Sequence, residues 1–120
     1  MERIRTLQHQ GKEILVLDYS GLNAEEYMPV ARLAMKEIAR RPEGSVLTIT
    51  NLKGTRFSVG TTEDIKRYSE HNKPYVKASA VVGLSAMQRV VYLAVKPFLT
   101  QNIATFDDIP SAITWLVGRP

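Results

Sequence analysis

Residues 14–17 read Ile-Leu-Val-Leu, a run of four large aliphatic side chains from which the arrangement of the sheet can be inferred. A short apolar run of this kind predicts a strand buried on both faces, as in a parallel sheet covered by helices. Residues 3–8 predict a second, more polar strand, and Gln10-Gly11 favours a tight turn between the two. We therefore expect an antiparallel hairpin whose polar strand lies at the edge of the sheet.

The rest of the chain alternates helical and strand patterns. β-Branched and apolar residues predict strands at residues 45–51, 76–84 and 103–106. Strands that alternate with helices require right-handed crossovers and a mostly parallel sheet. We therefore expect one α/β domain over residues 1–120, with a mostly parallel five-stranded sheet, an antiparallel edge hairpin and about four helices.

Capping residues indicate where the first and third helices begin. Asn23 followed by Glu26, and Ser85 followed by Gln88, have the spacing of a capping box. Pro29 removes a backbone hydrogen bond, so we expect a kink or a late start in the first helix. The third helix carries apolar residues at the spacing of a buried stripe: Met87, Val90, Val91, Ala94 and Phe98.

The second and fourth helices are predicted from other caps. Thr61 or Thr62 is predicted to cap the second helix, which places two acidic residues in its first turn. Asp107 or Asp108 is predicted to cap the fourth helix, and Gly118 to close it.

Composition excludes several classes of function. The chain has 120 residues, 44% of them hydrophobic, and no cysteine, which excludes disulfides, thiolate metal sites and a cysteine nucleophile. Its two histidines are too few for a multi-histidine metal centre, and no constellation of acid, base and nucleophile stands out. We therefore expect no enzyme activity, no metal and no cofactor.

Charge and hydropathy indicate a cytoplasmic protein that binds neither nucleic acid nor the membrane interior. The net charge is +4, and the 16 basic residues are spread along the chain rather than clustered. No apolar run approaches the ~20 residues that a membrane-spanning helix needs. The first residues, 1–5, are not followed by the apolar stretch of a signal peptide.

Three stretches carry a resemblance to a known family. They are Ile14-Leu15-Val16-Leu17-Asp18-Tyr19-Ser20, the segment from His71-Asn72-Lys73-Pro74 to Val82-Gly83-Leu84-Ser85, and the run from Phe106-Asp107-Asp108 through Trp115-Leu116. With the order of elements, they resemble the STAS fold, in particular its SpoIIAA-like branch, which is grouped with STAS/SEC14-like small proteins. The resemblance implies a non-catalytic regulatory or protein-interaction module similar to anti-sigma-factor antagonists.

The loop before the second helix is the candidate switch. In anti-sigma-factor antagonists a kinase phosphorylates a Ser or Thr there, within an Asp-Ser-Ser-Gly motif. Residues 55–62 read Thr-Arg-Phe-Ser-Val-Gly-Thr-Thr, with hydroxyls and a glycine but no Asp-Ser pair. The candidate phosphoacceptor or anion-binding residues are Ser58, Thr61, Thr62 and Arg56. A plain capped loop is the simpler interpretation.

A second function remains open beside the regulatory one. SEC14-like proteins of related topology hold lipids, so the resemblance also implies a small-molecule or lipid carrier. Ser85 and Met87 are then candidate walls of a ligand pocket, although an ordinary helix cap is the simpler interpretation of Ser85. The expected partners are another protein (a kinase or an anti-sigma-type regulator), a second copy of the chain, or a small apolar ligand.

Overall fold

The computed structural model describes residues 2–119, and it confirms the predicted α/β architecture. Five strands and four helices follow one another in the predicted order, and a short 3₁₀ turn, Lys96–Phe98, follows the third helix. The elements are β1 (Ile4–His9), β2 (Lys12–Asp18), α1 (Ala24–Ala39), β3 (Val46–Asn51), α2 (Val59–Asn72), β4 (Val76–Val82), α3 (Ala86–Val95), β5 (Ile103–Phe106) and α4 (Ile109–Val117).

The strands lie side by side in the order in which they occur in the chain. β1 pairs antiparallel with β2, and the pairs β2–β3, β3–β4 and β4–β5 are parallel. Gln10 and Gly11 form the turn of the hairpin with φ of 52° and 78°. Positive φ at both positions gives the two-residue turn whose twist matches that of paired strands.

The two faces of the sheet are covered differently. Because each parallel connection steps to the next strand, three right-handed crossovers place α1, α2 and α3 on one face. α4 covers the opposite face, where Ala112 and Leu116 pack against Ile49 and Ala80. Residues 14–17 of β2 are buried on both faces, as their composition predicts.

α1 begins where its cap predicts, and the expected late start is wrong. The Asn23 side chain accepts a hydrogen bond from the backbone N–H of Glu26, and the Glu26 carboxylate accepts one from Asn23. Pro29 lies inside the helix, where it removes only the bond to Glu25 in the first turn. The helix tolerates this loss because its apolar face, which includes Tyr27, is buried against the sheet.

α2 begins earlier than predicted. Its N-cap is Ser58 rather than Thr61 or Thr62, and Thr61 is the third residue of the helix. The Thr61 hydroxyl accepts a hydrogen bond from the backbone N–H of Ser58 at 2.9 Å, so it completes a capping box rather than acting as the cap. Glu63 and the acidic residue after it therefore lie beyond the first turn.

α3 keeps its predicted cap but presents a different face to the core. Ser85 and Gln88 form the expected capping box. The predicted buried stripe is wrong, because Met87, Val90 and Phe98 are exposed while Gln88 is buried. In α4 the cap is Asp108, as predicted.

Candidate binding surfaces around α2 and α3

The loop between β3 and α2 is held firmly at the carboxyl end of the sheet. Thr55 is buried, and its hydroxyl donates a hydrogen bond to the carbonyl oxygen of Tyr19 at 2.7 Å. The backbone N–H of Arg56 donates to the carbonyl of Leu22 at 2.8 Å. The loop is therefore fixed against the connection between β2 and α1, and it delivers Ser58 to the start of α2.

The candidate hydroxyls of this loop differ in accessibility. Ser58 is exposed, Thr62 is half-buried and Thr61 is buried. The hydroxyl oxygens of Ser58 and Thr61 lie 3.1 Å apart, so the fold brings these two together. Arg56 is exposed on the same loop. Ser58 is thus the candidate that an enzyme reaches most easily, and it lies at a helix N-terminus that favours added negative charge.

Gln88 connects this loop to α3, a role that the sequence did not reveal. Its side-chain amide donates hydrogen bonds to the carbonyl oxygens of Leu52, at 2.8 Å, and Thr55, at 2.6 Å. Its amide oxygen accepts from the backbone N–H of Ser85 at 2.8 Å. Only the last contact is local in sequence, which is why the capping-box spacing predicted that contact and not the other two.

The outward face of α3 and the following turn is apolar. Met87, Val90, Leu93 and Phe98 are 81%, 68%, 60% and 40% exposed, and we call them the α3 strip. Isolated exposed apolar residues are ordinary, but a group on one helix face indicates a contact surface.

The charged side chains of α3 and the turn after it are positive, and Lys66 of α2, which lies beside them, pairs with Glu63 at 3.4 Å. Arg89 and Lys96 lie on the exposed side of the same segment, and the ammonium group of Lys66 lies 4.5 Å from the centre of the Phe98 ring. No Asp or Glu occurs between Glu70 and Asp107 in the sequence. The surface therefore combines exposed apolar side chains with cations.

A cavity lies beneath α3, between α2 and the sheet, and we call it the α2–α3 cavity. Its larger lobe has a volume of about 110 Å³ and a mostly apolar lining. A smaller lobe of about 60 Å³ extends toward the C-terminal end of α2. Neither Ser85 nor Met87, the candidate pocket walls, lines either lobe, because Met87 lies on the outer side of α3.

A cluster of tyrosines borders the cavity. The hydroxyl groups of Tyr19 and Tyr68 are 2.9 Å apart, and the rings of Tyr19 and Tyr27 stack with centroids 4.7 Å apart. Burial raises the pKa of Tyr68 to about 12 and raises the pKa of Tyr19 well above its ordinary value. These hydroxyls are therefore neutral near pH 7 and act as hydrogen-bonding groups rather than as bases.

Residues 2–119 offer neither a metal-binding cluster nor a membrane-spanning helix. They contain no group of three or more histidines and carboxylates placed to hold a metal ion. None of their helices combines the length and the apolar character that crossing a membrane requires.

Comparison with solved structures identifies the fold as SpoIIAA-like. The chain superimposes with a TM-score of 0.73 on the crystal structure of an uncharacterised protein of the DUF3478 family, with a SpoIIAA-like fold, from Shewanella loihica PV-4. The two sequences are 18% identical, and the match covers 94% of this chain and 91% of the other. No protein-family model and no curated protein matches the sequence. The likeness shows the fold alone.

Proposed function

We propose that this protein is a non-catalytic interaction module that binds another protein through the α3 strip. The observation that carries the proposal is the exposure of four large apolar side chains on α3 and the turn after it. Burying side chains of this size against a partner supplies the main favourable free energy of association. The SpoIIAA-like fold is consistent with this function.

The charges near the strip define the partner's chemistry. Arg89 and Lys96 border the apolar side chains, so a complementary partner offers an apolar groove with carboxylates at its rim. A second copy of the chain is disfavoured. A two-fold contact between α3 helices brings the same patch of each copy together, and the cations of the two copies then face one another.

The regulatory part of the proposal concerns Ser58. This residue is exposed at the start of α2, and the loop before it is hydrogen-bonded to Gln88 of α3 through the carbonyl of Thr55. A phosphate at Ser58 adds roughly two negative charges close to that contact. We propose that such a charge alters partner binding through the loop and α3.

A lipid carrier is less well supported. The larger lobe of the α2–α3 cavity measures about 110 Å³, whereas ligand pockets for larger molecules measure ~300–1,000 Å³. An acyl chain does not fit unless α3 moves outward.

A pair of charge substitutions tests the binding surface. The wild-type protein is used as bait in soluble extract of the source organism, and a protein that it retains is purified. Its affinity is then measured by isothermal titration calorimetry. We expect Val90→Glu to weaken binding by about tenfold or more, because a carboxylate replaces an apolar contact beside the acidic rim.

The matched control is Leu33→Glu, which places the same charge on a 57% exposed leucine of α1. We expect it to leave the affinity unchanged. Equal affinity for Val90→Glu and the wild type contradicts the proposed surface. The proposed surface is also contradicted if sedimentation shows a wild-type dimer that Val90→Glu dissociates. It is contradicted too if the wild type binds anionic phospholipid vesicles and Val90→Glu does not. Ser58→Asp is titrated against the same partner to test the proposed regulation at Ser58. That regulation is contradicted if the affinity of Ser58→Asp equals that of the wild type.

A further inference from the structure

The two lobes of the α2–α3 cavity adjoin one another. They share the lining residues Thr50, Tyr68, Ser69, Ser79, Leu99 and Ile103. Together they are close to the size of an apolar cavity that holds one benzene ring, ~150 Å³. The space is therefore large enough for a ring or a short chain.

The larger lobe has mostly apolar walls. Leu52, just after β3, and Val81 of β4 line it from the sheet, Val91 and Val95 line it from α3, and Phe57 lines it from the loop before α2. Such walls offer water few hydrogen-bonding partners, so the binding of an apolar group in this lobe is favourable.

Four residues with hydroxyl groups line both lobes, and the hydroxyls of two of them, Tyr68 and Ser79, are bonded to Tyr19 and Thr48. Thr50 of β3 and Ser69 of α2 line both lobes, and the side chains of both are half-buried. Within residues 2–119 neither hydroxyl makes a hydrogen bond, whereas the neighbouring Ser79 hydroxyl is bonded to Thr48 at 2.8 Å. Thr50 and Ser69 therefore have hydrogen-bonding capacity that the fold leaves unused.

Charged ligands are disfavoured in this space. Lys73, at the mouth of the smaller lobe, is the one charged side chain among the lining residues. It lies at the C-terminal end of α2, where the helix dipole disfavours an anion. An ion inside the larger lobe loses its hydration and gains no counter-charge.

We infer that the α2–α3 cavity binds a small neutral amphipathic molecule, with an apolar body the size of one ring in the larger lobe and a hydroxyl-type group bonded to Thr50 and Ser69. This site is independent of the α3 strip, which lies on the outer side of the same helix.

Benzyl alcohol and toluene are suitable probes, because they have the same ring and only the first can form the hydrogen bonds. Methyl-resolved NMR of the full chain follows each titration. We expect both probes to cause saturable shifts at the methyl groups of Val91, Val95 and Leu99. Thr50→Val keeps the shape of the side chain and removes its hydroxyl. It should weaken benzyl alcohol binding about fivefold, the effect of one neutral hydrogen bond, and leave toluene unchanged.

A matched pair on α3 tests the location. Val91→Phe fills the larger lobe and should abolish binding of both probes, whereas Val90→Phe adds the same ring on the outer side of the helix and should not. Absence of saturable shifts up to the solubility limit overturns the proposal. Equal effects of the two phenylalanine substitutions overturn it too. If Val91→Phe fails to fold, an equal effect of Thr50→Val on both probes still refutes the assigned hydrogen bond.

Discussion

Gln88 is the residue on which the position of α3 depends. It is buried, and it holds three groups together: the carbonyl oxygens of Leu52 and Thr55 and the backbone N–H of Ser85. A side chain that pairs buried backbone carbonyls contributes twice to stability. It makes the bonds, and it also avoids the cost of leaving those carbonyls unpaired.

Gln88→Ala should therefore lower the free energy of unfolding by about 2–4 kcal/mol. Urea denaturation followed by circular dichroism measures the change. Gln101→Ala is the matched control, because Gln101 is exposed in the loop before β5 and should change the stability by less than about 0.5 kcal/mol. If Gln88→Ala lowers the free energy of unfolding by less than about 0.5 kcal/mol, α3 is held in place by other contacts.

The site could be predicted from the sequence only where its contacts are local. The Ser85–Gln88 capping box joins residues three positions apart, and it was predicted correctly. The cap of α4 was predicted only as Asp107 or Asp108, and in the structure it is Asp108, which accepts a hydrogen bond from Ser111. The bonds from Gln88 to Leu52 and Thr55 join residues more than 30 positions apart. No pattern within α3 reveals such contacts. Whether Ser58, Thr61, Thr62 and Arg56 bind or accept phosphate stays a prediction.

At the scale of elements, α3 shows the limit of hydrophobic periodicity. Apolar residues occur on both sides of this short helix, at Val90 and Leu93 as well as at Val91 and Val95. Hydrophobic periodicity alone therefore permits two rotations of α3 about its axis. The hydrogen bonds from Gln88 to Leu52 and Thr55 select one of them. The strand β2 has no such ambiguity, because a run of four aliphatic residues is buried whichever face each residue takes.

The start of α4 makes stability depend on pH. A hydrogen bond from the backbone of Ser111 lowers the pKa of the exposed Asp108 carboxyl. Because the folded-state pKa is below the unfolded one, the stabilisation is present above the unfolded pKa of about 3.9 and is lost as the pH falls through the folded value.

Asp108→Asn retains a capping side chain without a titratable group. We expect its melting temperature to fall less than that of the wild type between pH 7 and pH 3. Asp107→Asn removes the same charge one residue earlier, and its acid dependence should stay close to that of the wild type. The assignment is wrong if Asp107→Asn flattens the acid dependence as much as Asp108→Asn does.

At the scale of the whole molecule, the N-terminal hairpin and the C-terminal helix are tied together. The ammonium group of Lys12 donates hydrogen bonds to the carbonyl oxygens of Val117, at 2.8 Å, and Arg119, at 3.3 Å. A cation at the C-terminal end of a helix also interacts favourably with the helix dipole. One side chain thus joins β2 to the end of α4.

Lys12→Met keeps the length of the side chain and removes its charge and hydrogen bonds. It should lower the free energy of unfolding by about 1–2 kcal/mol and speed hydrogen exchange in the last turn of α4. Lys36→Met, on an exposed position of α1, is the matched control. Unchanged exchange at Val117 and its neighbours in the Lys12 variant means that the apolar contacts of Leu116 hold α4 in place without this tie.

The order of the strands has a consequence for synthesis. Because each strand lies next to the one made before it, every β-α-β unit can dock as soon as it leaves the ribosome. Among the helices of residues 2–119, α4 is the one that packs on the sheet face that includes Ile49 and Ala80. That apolar surface stays uncovered until α4 has been translated, so a nascent chain, or one truncated before α4, exposes it to chaperones and to aggregation.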